Sequence, residues 1–379
     1  MCAAAKKIDF LTTGVGRGHR FYLEGLRSAL LERAPELCGP VVVARAVSGV
    51  TAQLIWTLAE GLYRHGSRGG SLGAAYSRLR QRGKLVEEGF AIGRLRSDLL
   101  KWAGRSPGPL VVDHPLLAVT LAPIADRRPL VYMHGELVAP GESLTTAPSL
   151  TLAPTADVAD AFQRAGAEHN ATTVTGLCVE RSLIALADSA RKVRLERLQR
   201  GEPLHGVYYS SGAEPTPHCR ALARAAAAAL EAGGRATVFA KEDGRLHALL
   251  ERERSLAVAP GLTVVRFRGI ADEEHQLAAR FSDFDYFVAP AHERTNWAVG
   301  LGLPFFWLEP NFGSFAPLNA QLAAAAVGAR PIGSVGEADD FGEVLGALRE
   351  AGVLSEMNAP VREDIRGFEC AAEVVRSLT

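Results

Sequence analysis

Residues 7–31 read KIDFLTTGVGRGHRFYLEGLRSALL. A largely apolar run, Ile8–Thr12, stops at Thr13, Gly14, Val15, Gly16, Arg17, Gly18 and His19, after which apolar residues recur at helical spacing. A buried strand, a tight turn and an amphipathic helix satisfy that order. Glycines let the backbone turn sharply and let a ligand approach it, and a helix start can hold an anion or a polar acceptor. The spacing is G-x-G-x-G-H, no acidic residue ends a second strand near Ala44, and no Gly-Lys-Ser/Thr follows. The turn is therefore neither a dinucleotide fingerprint nor a Walker A loop. A plain strand-to-helix turn is the other reading.

The same alternation continues outward. Ile8–Thr12, Val41–Ala44, Leu110–Val112, Leu130–Met133 and Leu150–Leu152 read as buried parallel strands, with helices near Phe21–Glu32, Ala52–Tyr63, Ala74–Trp102 and Ala156–Ala165. A second series gives strands at Gly206–Ser210, Thr237–Ala240, Leu262–Phe267, Tyr286–Ala289 and Phe305–Leu308, again separated by helical stretches. The run Ala225–Ala229 reads as one face of a good helix. Two such series predict an α/β protein of two doubly wound, Rossmann-like domains. The first is expected over 1–187 and the second over 203–360, with the charged stretch Asp188–Pro203 as connector.

Composition narrows the function. The chain has 379 residues, 47% hydrophobic and 22% charged, enough for a full core. Lys+Arg and Asp+Glu both number 42, and a neutral chain lacks the basic excess of non-specific nucleic-acid binders. The five cysteines lie far apart, with no CxxC or Cys/His ligand spacing, so no disulfide framework or structural zinc is indicated. MCAAAKK is followed by no signal-like apolar stretch, and the longest uncharged stretch, Pro310–Ala329, is too polar to span a membrane. A cytoplasmic protein is expected. Arg64–Arg105 carries ten Lys or Arg against three Asp or Glu, with Tyr76, Phe90 and Trp102 interleaved. It reads as a solvated helical face or as a peripheral contact with an anionic membrane.

At the Gly-x-Gly-His turn the sequence resembles glycosyltransferases of the two-Rossmann-domain, B-type fold. The branch it is most similar to holds the lipid-II-forming N-acetylglucosaminyltransferase and the monogalactosyl- and glucosyl-diacylglycerol synthases. Further matches are LVVDHPLL (110–117), the run Thr151–Leu183 with its Thr175–Gly176 turn, VRFRGIADEEHQLAARFSDFDYFVAP (265–290) and AHERTNWAVGLGLPFFWLEPNFGSFAPLNAQLAAAAVGA (291–329). Gly302–Leu303–Pro304 and Asn319–Ala320 fall at family spacing. The resemblance implies a cleft between the domains, an acceptor-binding first domain, a donor-binding second domain, and a C-terminal helix within 361–379 crossing back to the first. It also implies an inverting, metal-independent transfer from a nucleoside-diphosphate sugar, UDP-linked for preference; the Ala/Arg/Gly-rich composition and the altered donor loop fit a small-molecule acceptor of specialised metabolism. No cofactor or metal is called for. A membrane-surface lipid transferase, and a non-catalytic partner with a lost donor site, remain the alternatives.

The departures are specific. Where the family has a Gly-small-Ser/Thr-Thr turn and a ribose-binding Glu, this chain has Ala291, His292, Glu293, Arg294 and then Trp297; where a sugar-binding pair is usual, it has Phe315 and Ala316. His292 and Arg294 are expected to neutralise a diphosphate, with Glu293 as a substitute ribose acceptor. Ser211, Gly212, Phe267, Arg268, Thr295 and Asn319 complete the expected donor side, and Gly14, Gly16 and Gly18 the acceptor-side turn.

An inverting transfer also needs a base. His19, Asp113, His114, His134 and Glu136 all fall at predicted strand ends, where ligands bind in open α/β sheets. His134 comes first, because it lies near the family's proposed base and imidazole suits proton transfer at neutral pH, with Glu136 next. A non-hydrolysing nucleotide-sugar epimerase of the same architecture ranks low, for want of an Arg-Pro-Glu and a carboxylate cluster.

Overall fold

A strand buried on both faces must be apolar throughout, and the apolar runs pair accordingly, all in parallel. The computed structural model describes residues 6–14, 18–66, 90–253, 259–333 and 335–379. The chain divides into two compact units, Met1–Cys178 with Arg366–Thr379, and Val179–Ile365.

In the first unit the order is β1 (Ile8–Thr12), α1 (Gly18–Arg33), β2 (Cys38–Val43), α2 (Val50–Gly66), α3 (Phe90–Ala103), β3 (Leu110–Val112), α4 (Pro115–Thr120), β4 (Leu130–Met133), β5 (Leu150–Ala153), α5 (Ala156–Arg164) and β6 (Thr172–Val174). The sheet runs β2-β1-β3-β4-β5-β6, every pair parallel. Parallel neighbours need crossover connections, which lay helices on the sheet. One face is closed by Trp56, Leu95 and Leu99 against Leu110, Val112 and Tyr132.

In the second unit α6 (Arg181–Ile184) and α7 (Ala187–Arg200) lead into β7 (His205–Tyr209), α8 (Thr216–Glu231), β8 (Arg235–Lys241), α9 (Arg245–Arg252), β9 (Leu262–Phe267) and α10 (Ile270–Ala278). Then follow β10 (Tyr286–Ala289), α11 (Thr295–Leu301), β11 (Phe305–Leu308), α12 (Phe315–Val327), β12 (Arg330–Ile332), α13 (Val335–Asp339), α14 (Phe341–Glu350) and α15 (Val353–Glu356). This sheet runs β12-β11-β10-β7-β8-β9, again all parallel. The two doubly wound sheets are the α/β class read from the sequence. On α8 the alanines Ala225, Ala226, Ala228 and Ala229 are buried, and a side chain at Gly342 of α14 would strike the Ala228 carbonyl.

Asp188–Pro203, expected as a connector, is instead mostly the helix α7. Its charges mislead because Arg194 is fully buried, donating to the Phe284 and Gly302 carbonyls and, at 2.7 Å, to Asn358 Oδ1. Burial lowers its pKa to about 9.

The last helix, α16 (Gly367–Arg376), belongs to the first unit and packs on α1. The Phe368 ring meets Phe21 edge-on at 5.6 Å and covers Gly25, where any side chain would strike it. Phe368→Ala is expected to destabilise the first unit by about 3–5 kcal/mol, the usual cost of emptying a buried phenylalanine site. Urea unfolding followed by a probe in that unit measures it.

Candidate functional site

In an open parallel sheet, ligands collect outside the strands' carboxyl ends at the point where strand order reverses. In the first unit that point lies between β1 and β3, and in the second between β7 and β10. Sequence-expected residues stand at both.

In the first unit, β1 ends at Thr12 and β3 is followed at once by Asp113. Leu11 pairs with Val112, so the next positions face each other. Thr12 Oγ1 donates to Asp113 Oδ2 at 2.5 Å, and both side chains are fully buried. Asp113 Oδ1 has no hydrogen-bond partner among the described residues. Burial, only partly offset by the Thr12 hydrogen bond, lifts the Asp113 pKa from 3.8 to about 7. His114 caps α4, its Nδ1 accepting from the Leu116 N–H at 3.1 Å. That acceptance requires an unprotonated Nδ1, so the neutral ring carries its proton on Nε2. His19, in the first turn of α1, sets its ring 4.7 Å from that of His114. Gly14 lies against Glu60, which pairs with Arg45 at 3.0 Å, and a side chain at Gly14 would strike that carboxylate. Gly18 begins α1. Gly16 and most of the basic stretch Arg64–Arg105 lie outside the described residues.

One strand further on, His134 is locked in place. Its Nε2 bonds the Val138 carbonyl at 3.0 Å and its Nδ1 the Tyr132 hydroxyl at 3.3 Å, and Phe162 packs edge-on against the ring. The carbonyl can only accept, so Nε2 carries the proton and Tyr132 donates to Nδ1. Burial lowers the His134 pKa to about 4. The sequence ranks this ring first as base, but the structure commits both of its nitrogens to internal bonds. Glu136 is also buried. Between them, Gly135 leaves room for the Tyr22 ring of α1.

In the second unit, Asn319 Nδ2 donates to the Ala291 carbonyl at 3.2 Å and steadies the loop after β10. His292 is half-buried; burial, with a smaller push from His292, lowers the His218 pKa to about 4. Arg294 is buried, and both arms of its fork are engaged, with Glu273 of α10 and with Glu293 at 3.1 Å. The guanidinium lies over the Tyr209 ring at 4.2 Å and the Trp297 ring at 5.3 Å. Trp297 Nε1 donates to Glu180 Oε2 at 2.8 Å, and burial raises the Glu180 pKa. The sequence assigns Arg294 to a diphosphate; in the structure two carboxylates already answer its charge. Thr295 is fully buried beside it, and Asn296 folds back on the Glu293 carbonyl.

Ser211 and Gly212 follow β7 on the way to α8, Ser211 half-buried and Gly212 exposed. Phe267 ends β9, the edge strand farthest from β12 in this sheet, and Arg268 follows it. Arg268 is exposed and paired with Glu242, so its charge is spent away from the switch point. Sequence reasoning missed Glu273, Glu180 and Tyr209. Glu273 sits in an acidic first turn, ADEEH, that reads as ordinary helix chemistry, and only the fold brings it to Arg294. Among the described residues no group of three or more His, Cys, Asp or Glu is placed to hold a metal. No helix among them is long and apolar enough to cross a membrane.

No family model and no curated protein matches the chain in sequence. Solved structures match it along its whole length. The UDP-GlcNAc 2-epimerase of Neisseria meningitidis, bound to UDP-GlcNAc, aligns with TM-score 0.58 at 12% identity, over 97% of this chain and 98% of its own. The UDP-GlcNAc 2-epimerase of Methanocaldococcus jannaschii, with UDP-GlcNAc and UDP, gives 0.52 at 12%, over 98% and 99%. HepE of Anabaena, with UDP and glucose, gives 0.50 at 14%, over 98% and 99%. The likeness establishes the two-Rossmann architecture. It does not establish the particular glycosyltransferase branch that the sequence resembles, and two of these neighbours carry the epimerase name that the sequence ranked low.

Two stability measurements follow from the geometry. Asp113 has a folded pKa above its unfolded one, so the folded state holds the extra proton between pH 4 and 7. The contribution of Asp113 to stability is then fully present below pH 4 and is lost as pH rises to 7, by on the order of 4 kcal/mol. Asp113→Asn should abolish that slope and be the more stable protein at pH 8, as urea midpoints across pH would show. Arg294→Met leaves Glu273 and Glu293 buried without a cation and should cost roughly 3–5 kcal/mol at pH 7.

Proposed function

We propose that this protein processes a UDP-sugar, with Asp113 as the group that accepts a proton in the reaction. The observation that carries the reading is the Asp113 carboxyl itself, at the carboxyl end of β3 beside the switch point, buried, with a pKa of about 7 and Oδ1 unpartnered among the described residues. A base is most effective when its pKa lies near the working pH. The neighbours support the substrate class, since their own structures hold UDP or UDP-GlcNAc.

The finer reading is an inverting transfer. Asp113 takes the proton of an acceptor hydroxyl while the oxygen attacks the anomeric carbon, and the bond from that carbon to the UDP oxygen breaks as UDP leaves. His292 is the cation proposed to meet the leaving diphosphate, because Arg294 is engaged with Glu273 and Glu293. His19 and His114 flank Asp113 and are proposed to bind acceptor hydroxyls. Ser211, Gly212 and Asn319 remain proposed donor contacts.

A specific observation favours a second reading, epimerisation. Glu136 supplies another buried carboxylate one strand away, and proton removal and return at a sugar carbon calls for such acid–base groups. Incubation with UDP-GlcNAc in D2O, followed by NMR, separates the two. Epimerisation places deuterium on a sugar carbon; transfer to an added acceptor releases UDP and leaves every carbon-bound hydrogen in place. Asp113→Asn should lower either activity by about 10²–10⁴-fold. If neither UDP nor any UDP-sugar raises the thermal midpoint, the proposal is wrong.

A further inference from the structure

Thr12 and Asp113 lie 101 residues apart in sequence and meet at 2.5 Å where β1 and β3 end side by side. The Thr12 hydroxyl has a single proton. Its other acceptor, the Thr13 carbonyl, is at 3.3 Å, so the proton goes to the carboxylate. Thr12 is β-branched and at a strand end, which confines its side chain to few rotamers. We infer that Thr12 is a positioning residue: by holding Oδ2 it fixes the plane of the Asp113 carboxylate and presents Oδ1 to the proton that is removed. The inference rests on the reading of Asp113 as the proton acceptor and adds to it the residue that makes one oxygen reactive.

The same bond keeps the carboxylate ionisable. Burial pushes Asp113 toward its protonated form, and the Thr12 hydroxyl is the strongest opposing interaction. The charged and titratable groups around Asp113 are His19, Arg20 and Glu24 on α1, His114 next in the chain, and Tyr132 on β4. Arg20 and Glu24 act on Asp113 with opposite signs and pair with each other at 2.6 Å, so they largely cancel. Glu136 acts on Tyr132 from the loop after β4. None of these replaces a donor held against Oδ2.

Thr12→Val keeps the shape and removes the donor, and Thr12→Ser keeps the donor. Titration of the aspartate carboxyl carbons by ¹³C NMR, with the Asp113 signal identified by its loss in Asp113→Asn, reads the effect directly. In Thr12→Val the Asp113 transition should rise by roughly 1–2 pH units, the value of a hydrogen bond to a charged group. Thr12→Ser should restore it. The acid limb of kcat/KM for UDP-GlcNAc should move up with it in Thr12→Val, roughly tenfold down at pH 7 and recovered near pH 9. An Asp113 transition that stays put in Thr12→Val, or a uniform loss of turnover at every pH, would overturn the inference. If the transition moves but Asp113→Asn turns over normally, the hydrogen bond acts as inferred and the assignment of Asp113 as base is what fails.

Discussion

Parallel pairing constrains everything else in this protein. A parallel strand cannot return through a tight turn, so each connection must cross over and come back in at the same end, mostly as a helix, although residues 134–149 join β4 to β5 without one. All strands of a unit therefore finish together, and the residues just past them are gathered from distant parts of the sequence. Where the winding reverses direction, the chain leaves neighbouring strands towards opposite faces of the sheet, and the residues just past those strands stand side by side. Thr12 and Asp113 meet for this reason, and so do Tyr209 and Arg294, without any local motif that joins them.

The two gathering points handle charge in opposite ways. At the end of β3 a carboxyl is buried with the Thr12 hydroxyl as its chief hydrogen-bond donor, and its pKa is lifted to about 7. At the end of β10 a guanidinium is buried with two carboxylates and two aromatic faces, and its charge is fully answered. An ionisable group becomes chemically useful when its surroundings stop short of settling its protonation state. By that measure the Asp113 carboxyl is the more open of the two to a change of charge, and the Arg294 guanidinium the more settled.

The strands that lie inside the sheets are legible in the sequence because burial on both faces demands unbroken apolar runs; Leu110–Val112, Leu130–Met133, Tyr286–Ala289 and Phe305–Leu308 coincide with β3, β4, β10 and β11. The sheet-edge strands β6 and β12 are not legible. Thr172–Val174 is mostly polar and partly exposed, and Arg330–Ile332 carries an arginine and a proline with only Ile332 buried, so no pattern marks them. Helix α7 hides for the opposite reason, since a fully buried arginine looks like surface charge until its carbonyl partners are in place. The candidate site follows the same logic. Strand-end residues such as Asp113 and His134 can be located from the strands, but their order of merit depends on the bonds they make. His134 bonds Tyr132 and Val138, neither of which any spacing rule would single out.

The membership of α16 in the first unit bears on how the chain is made. Residues 179–365 form an uninterrupted unit, whereas the cover over Phe21 and Gly25 comes from Phe368. On a ribosome, the inserted unit is complete in sequence before the unit that surrounds it. The face of α1 that Phe368 closes stays wet throughout that interval. The first unit is thus completed after the second, once α16 has emerged.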